Sequence, residues 1–423
     1  MKLEIIQNKS LALASVLSLF LLGVPCHAQF IPGTEGAPRV SLSLPSAATP
    51  VPTSFFGLSL DSFESVTSTL PYAAARTWDA YPNIAWSDIN TAPRTYYFGD
   101  LDKYIALNVG EGRDILYTLG RTPTWASSDP TAPGPYAPGE CAPPADLQYW
   151  DDYVTAIATH AGGKIKYWEL WNEPDDPDYY CGDIPTMVSM AQQAYSIIKE
   201  IDPEAKIVTP SAVGSEGPAW LESFLTAGGA SYVDIISFHG YWSQTAEDIN
   251  TVIASYRSVM LTTGVEGKPL WDTEGSWTTS PTQYISDADS QAAFLAKYYL
   301  LQWSAGVSRF YWYAYDGGVW GGLWDQKSGL HPAGTAYAQV AQWMTGARLT
   351  SPCSSDASGT WTCRFSLAAG SSPAEAVWNS QQTLSYTVPP QFTQVWDLKG
   401  KKSAAPRHLQ VGNLPVLLVS TFK

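Results

Sequence analysis

From residue 54 to residue 345 the chain repeats one rhythm: a short apolar run, a loop, then a stretch with helical spacing. The runs are FFGLSL (55–60), AARTW (74–78), DILYTLG (114–120), IKYWELW (165–171), KIVTPS (206–211), DIISFHGYW (234–242), PLWDTE (269–274) and RFYWYAY (309–315). Apolar residues recur near every 3.6 positions in the segments at 146–163, 186–203, 247–264, 290–306 and 335–346, several of which close on Gly or Pro. Eight strand–helix units admit a closed (β/α)8 barrel or an open doubly wound sheet. The open sheet commonly binds nucleotides through a glycine-rich turn after its first strand, and neither GxGxxG nor GxxxxGK[ST] follows FFGLSL. The pattern predicts an α/β chain with a (β/α)8 barrel over residues 54–345.

The texture changes after Gly346. TWTCRFSLA, AEAVWN, LSYTV, TQVWDL and LPVLLVS are short β runs parted by Ser, Gly and Pro, which predicts a small antiparallel, sandwich-like β domain over 346–423. Some 75 residues make a marginal sandwich, so the segment 29–53, through RVSLSL (39–44), is expected to add a strand. Residues 1–28 have the order of a signal peptide: Lys2 and Lys9, an apolar run at 11–24, and a small residue at Ala28. The mature chain is then expected to be secreted, extracellular or periplasmic, with no membrane association after cleavage. Export leaves Cys141, Cys181, Cys353 and Cys363, an even set in an oxidising compartment. Cys141 and Cys181 follow neighbouring strands and are expected to bridge; Cys353 and Cys363 are expected to clip a hairpin.

A net charge of −15 opposes nucleic acid or anionic membrane as a partner, since both need clustered Lys and Arg. No CxxC or HExxH is present and His numbers five, so no metal and no cofactor are expected. The 18 Trp and 24 Tyr suit a core, and equally a ligand face edged with polar groups. The sequence leaves the oligomeric state open.

Barrel enzymes carry their chemistry at the C-terminal ends of the strands. The fourth run ends LWNEP and the seventh WDTEG, which puts Glu173 and Glu274 at two strand tips. Two carboxyl groups flanking a glycosidic bond can protonate the leaving oxygen and handle the oxocarbenium-like carbon. Taken alone, NEPDD could equally be a helix-starting turn; the second glutamate tips the balance. Glu169 and Asp272, pointing inward below the tips, read as buried supports.

In these motifs and their order the barrel region resembles the clan A retaining glycoside hydrolases, family 39 above all. The resemblance implies Glu173 as acid/base, Glu274 as nucleophile and Asn172 as donor to the sugar 2-hydroxyl. FHGYW implies Tyr241 as a hydrogen-bond partner of the nucleophile and His239 as a lining residue. It further implies Arg76 as the support of the nucleophile, Trp312 as the ring beneath the reacting sugar, and, through TLGRTPTWAS, Trp125 near the pocket. The implied function is β-glycosidase or β-xylosidase action on plant or microbial oligosaccharides or polysaccharides by double displacement. The alternatives are a sugar-binding barrel without catalysis and an inverting glycosidase using the same carboxylates. A serine hydrolase is disfavoured by the lack of G-x-S-x-G. His160 and His331 read as structural or surface residues, and Trp171, Trp277 and Trp320 as packing residues or sugar platforms.

Overall fold

The computed structural model describes residues 49–62, 70–241, 245–280, 283–368 and 372–420. The leader at 1–28 and the added strand at 39–44 lie outside the described residues. Eight parallel strands form one sheet: β1 (Phe56–Ser59), β2 (Ala74–Arg76), β3 (Asp114–Thr118), β4 (Tyr167–Glu169), β5 (Lys206–Val208), β6 (Ile236–His239), β7 (Leu270–Gly275) and β8 (Arg309–Trp312). They neighbour one another in the order β5-β4-β3-β2-β1-β8-β7-β6. Parallel bridges Val208↔Ile235 and Ala212↔Phe238 join β5 to β6 and close the ring. The expected barrel is observed, with β4 and β7 three positions apart around it.

Seven helices of ten or more residues accompany the strands among the described residues: α1 (Gly99–Gly110), α2 (Leu147–Ala161), α3 (Ile184–Ile201), α4 (Gly217–Thr226), α5 (Ile249–Thr262), α6 (Ala288–Ser304) and α7 (Pro332–Met344). Spacing had marked five of them. The other two, α1 and α4, each open on glycine, which weakens the local helical signal. Aspartates supply the start signals: Asp146, Asp183 and Asp287 accept from Gln148 N (3.0 Å), Thr186 N (2.8 Å) and Ser290 N (2.7 Å). Each satisfies an amide that has no partner within its own helix.

The barrel interior is layered. Ala74, Leu116, Val208, Ile235, Trp271 and Tyr311 form an apolar floor. Above it, Thr118, Thr209, Ser211, Ser237 and Thr273 form a buried hydroxyl layer, with Ser211 Oγ 2.6 Å from Ser237 Oγ and 2.7 Å from Thr273 Oγ1. Charged groups placed on this layer find hydrogen bonds without water, which is the condition for burying them.

The C-terminal strands are β9 (Arg348–Ser355), β10 (Thr360–Ser366), β11 (Pro373–Asn379), β12 (Leu384–Thr387), β13 (Gln394–Trp396), β14 (Lys402–Ala404), β15 (His408–Val411) and β16 (Val416–Val419). Six pair in the order β9-β10-β11-β16-β13-β14, and β12 pairs with β15. Alternation along β11 sends Ala374, Ala376 and Trp378 into the core shared with the barrel, and Val377 into a second core with Val388, Phe392 and Leu418. The first face lies on α6: Trp303 meets Phe365 at 5.4 Å, and Ser304 Oγ accepts from Cys353 N at 2.7 Å. Residues 292–304 of α6 are therefore buried on every side, as suits a helix enclosed between two layers. Truncation after Gly346 is expected to expose that helix and produce aggregation in size-exclusion chromatography. A shortened chain that stays monomeric with an unchanged melting temperature would contradict this.

Both expected disulfides are present, Cys141–Cys181 with a Cα separation of 5.2 Å and Cys353–Cys363 with 4.1 Å. Among the described residues no helix is long and apolar enough to cross a membrane.

Candidate active site

Arg76 closes β2 and is fully buried, so its charge must be answered within the barrel. Its Nε donates to Glu169 Oε2 (2.9 Å), Nη1 to Glu274 Oε2 (2.5 Å) and Nη2 to Asn172 Oδ1 (2.7 Å). Glu169 also accepts from Thr118 Oγ1 (2.6 Å) and Ser211 Oγ (2.5 Å). Burial pushes its pKa up, but Arg76, His239 and these hydroxyls win, and the net direction is down. Glu169 is thus a fixed buried anion. Asn172 spends its oxygen on Arg76, which leaves Nδ2 to donate to a ligand. Arg76→Met is expected to cost about 3–5 kcal/mol in urea unfolding at pH 7, because two buried carboxylates lose their counter-charge. A loss below about 1 kcal/mol would contradict the pairing.

Glu173 lies beyond the end of β4, where Asn172 still bridges to Ser211 and the Glu173 amide donates to Ser211 O (2.9 Å). Its φ of 43° is left-handed, a conformation uncommon for a side chain of this size. The β6 residue His239 places Nδ1 2.8 Å from Glu173 Oε1 and 3.8 Å from Glu274 Oε2. Tyr241 donates its hydroxyl to Glu274 Oε1 at 2.9 Å. Gly240 stands between these two because a β-carbon there would collide with Asp272 and Tyr298. Asp272, fully buried, accepts from Gly240 N (3.0 Å) and Glu274 N (3.3 Å) and so holds the ends of β6 and β7 together.

The two carboxyl groups differ in charge preference. Burial pushes Glu173 up to about 8, with Asp176, Asp79 and Glu169 adding to the effect and Arg76 opposing it. Burial also lifts Glu274 above the ordinary carboxylate range, while His239 and Arg76 hold it down. The contacts from Arg76 and Tyr241 would by themselves hold Glu274 ionised. Desolvation exceeds them, and the net direction is upward. Burial lowers His239 to about 4, so it is neutral near pH 7.

Arg76, Asn172, Tyr241 and Glu274 therefore form one hydrogen-bonded set, and the His239–Glu173 pair stands against it, with Nδ1 3.8 Å from Glu274 Oε2. Trp125 does not join it: its Nε1 donates to Asn90 O (2.8 Å), and its ring meets Tyr149 edge-on at 5.2 Å. Trp312 requires a correction. It is fully buried, its Nε1 donates to Gly321 O (2.7 Å), and its ring faces Trp277 (5.0 Å) and Tyr299 (6.2 Å). Tyr311 points into the barrel, so strand alternation turns Trp312 outward to the helices and Tyr313 back over the mouth. The Tyr313 ring lies 6.5 Å from Tyr241 and 6.4 Å from Trp320. Trp171 is likewise core, with Nε1 on Tyr179 O at 3.0 Å. His160 bonds Asp102 (2.7 Å) and His331 bonds Asp325 (2.6 Å), both away from the cluster.

Sequence reading passed over Asp79. It sits three residues beyond Arg76 and accepts from the hydroxyls of Tyr136 (2.5 Å) and Tyr313 (2.8 Å). An acid just past a strand end was the available signal. Glu173, His239 and Glu274 each offer a ligand atom within 4.8 Å of one another, a spacing a divalent cation could use. Arg76 argues against one, because its guanidinium already places a positive charge 2.5 Å from Glu274.

Residues 145–337 match the family model described as "Glycosyl hydrolase catalytic core". A protein named "Beta-xylosidase" from Geobacillus stearothermophilus is 24% identical over 230 residues, 48% of this chain and 44% of the relative. The match therefore spans less than half the length of that curated relative. A family 39 glycoside hydrolase from Bacteroides cellulosilyticus shares the fold with a TM-score of 0.69 at 19% identity, over 88% of this chain and 81% of its own. A monomeric beta-xylosidase from Caulobacter crescentus does so with 0.67 at 16% identity, over 89% and 98%. The chain thus matches a glycosyl hydrolase catalytic core from β4 to β8 of its barrel and, over nearly all its described length, has the fold seen in family 39 glycoside hydrolases.

Proposed function

We propose that the chain is a secreted retaining glycoside hydrolase acting on β-linked sugars, with β-xylosides the first substrates to test. The carrying observation is the closeness of the glutamates: an oxygen of Glu173, an oxygen of Glu274 and a His239 nitrogen all lie within 4.8 Å of one another. Retaining enzymes hold their carboxyl groups about 5–5.5 Å apart, whereas inverting ones leave about 6.5–9.5 Å for a water. Glu274 attacks the anomeric carbon while the Glu173 proton passes to the departing oxygen, giving a glycosyl-enzyme ester. Glu173, now a carboxylate, takes a proton from water, whose oxygen displaces Glu274 and restores both groups. Arg76 and Tyr241 orient Glu274, and Asn172 Nδ2 can donate to a sugar hydroxyl beside it. The choice of xylosides rests on likeness to proteins called beta-xylosidases. Export is supported by the two disulfides. Turnover of aryl β-xylosides, β-glucosides and xylan by the full chain tests the reading, and inactivity on every β-glycoside would reject it.

The pH profile follows from the two carboxyl groups. Glu173 acts as an acid only while protonated, so kcat/KM is expected to fall on an alkaline limb near pH 8. Glu274 acts only when ionised, so the acid limb is expected above the ordinary glutamate range. The apparent values belong to the coupled pair. With an activated aryl glycoside, Glu173→Gln is expected to lose the alkaline limb during glycosyl-enzyme formation; persistence of that limb would assign it elsewhere.

A further inference from the structure

The Asp79 carboxylate joins two walls of the barrel mouth. One wall comes from the loop after β3, where the Tyr136 ring meets Trp78 at 5.9 Å and Tyr179 at 6.3 Å. Arg121 lies 4.2 Å over the Tyr136 ring and bonds Glu140 at 3.1 and 3.2 Å, which ties the loop down. The other wall follows β8, where Tyr313 packs with Tyr241 and Trp320. Tyr136 bonds Oδ1 of Asp79 and Tyr313 bonds Oδ2, so a single side chain pins both. Asp79 itself has φ 62°, left-handed backbone that an aspartate tolerates better than most residues and that sets it above the end of β2. The span runs β8–β2–β3, on the side of the ring away from β5 and β6.

Such a span obstructs a polymer. A sugar chain lying across the mouth would have to pass through hydroxyl–carboxylate bonds between Tyr136, Asp79 and Tyr313. A single terminal ring seated against Glu274 and Asn172 would instead end against them. Each Asp79 oxygen accepts one tyrosine proton and keeps a second lone pair. A hydroxyl of that terminal ring is the group chemically suited to it, and a charged acceptor in a half-buried site discriminates strongly for such a donor.

We propose that Asp79 closes the glycone end of the site and accepts a hydrogen bond from a hydroxyl of the non-reducing terminal sugar, so that the protein acts from chain ends. This rests on the hydrolase reading above. The test compares 4-nitrophenyl β-xyloside with its 3-deoxy and 4-deoxy analogues, using wild type, Asp79→Asn, Asp79→Ala and Tyr136→Phe. Wild type is expected to disfavour one deoxy analogue by roughly 10- to 100-fold in kcat/KM, the scale of a hydrogen bond to a charged group. In Asp79→Ala that ratio is expected to collapse toward one, and in Asp79→Asn, whose amide oxygen is a neutral acceptor, to shrink, whereas Tyr136→Phe, which keeps the carboxylate, retains it. A purely structural role would lower all substrates together and leave the ratio intact, and that result overturns the proposal. Reducing-end-labelled xylohexaose supplies the second readout. Release of single sugars from the unlabelled end is expected from wild type, and internal cuts would overturn the closure. Inactivity of wild type on every glycoside would reject the hydrolase reading and this inference with it, whereas turnover with an unchanged deoxy ratio in Asp79→Ala rejects this inference alone.

Discussion

Glu274→Ala is expected to lose hydrolysis of every aryl glycoside, activated or not, by on the order of 10⁴- to 10⁶-fold, the scale of removing a covalent nucleophile. The reason is positional. Glu274 is pinned by Arg76 at 2.5 Å and Tyr241 at 2.9 Å, which leaves it no freedom except to face the mouth. The two acids nearest below it cannot replace it: Glu169 and Asp272 are fully buried, and their oxygens are spent on neighbours. A small anion can enter the vacated space, so added azide is expected to give a glycosyl azide of inverted configuration. Retained activity without azide would remove Glu274 from the reaction.

Glu173→Ala is expected to behave differently. Substrates with poor leaving groups should slow by roughly 10²- to 10⁴-fold, since departure then lacks a proton. An activated aryl glycoside needs no proton to leave, so the glycosyl-enzyme should still form and then accumulate. Azide, unlike water, needs no general base and should release a glycosyl azide of retained configuration. The opposite outcomes of the two mutants separate covalent work from acid/base work. Exchanged configurations would exchange the assignments.

The barrel was legible because its strands are covered on both faces and so read as apolar runs, with helical spacing between them. The glutamates were legible because a charge at the end of such a run needs an explanation, and two ends supplied one. Trp312 faces the helices and not the mouth. In a run as aromatic as RFYWYAY, composition cannot tell which ring faces the mouth; only the inward position of Tyr311 fixes the parity. Asp79 escaped notice because its partners lie 57 and 234 residues away in the chain. The upward shift of Glu274 was illegible for a similar reason. A salt bridge can be guessed from strand positions, but the water lost on closing the barrel mouth depends on the packed structure.

The configuration of the first product tests the central claim most directly. Wild-type protein mixed with an aryl β-xyloside should be followed by proton NMR at the anomeric position, before mutarotation mixes the sugars. Two displacements, by Glu274 and then by water, predict that the β-anomer forms first and the α-anomer only later as equilibrium is approached. Initial formation of the α-anomer would mean direct attack by water, and would contradict a covalent role for Glu274.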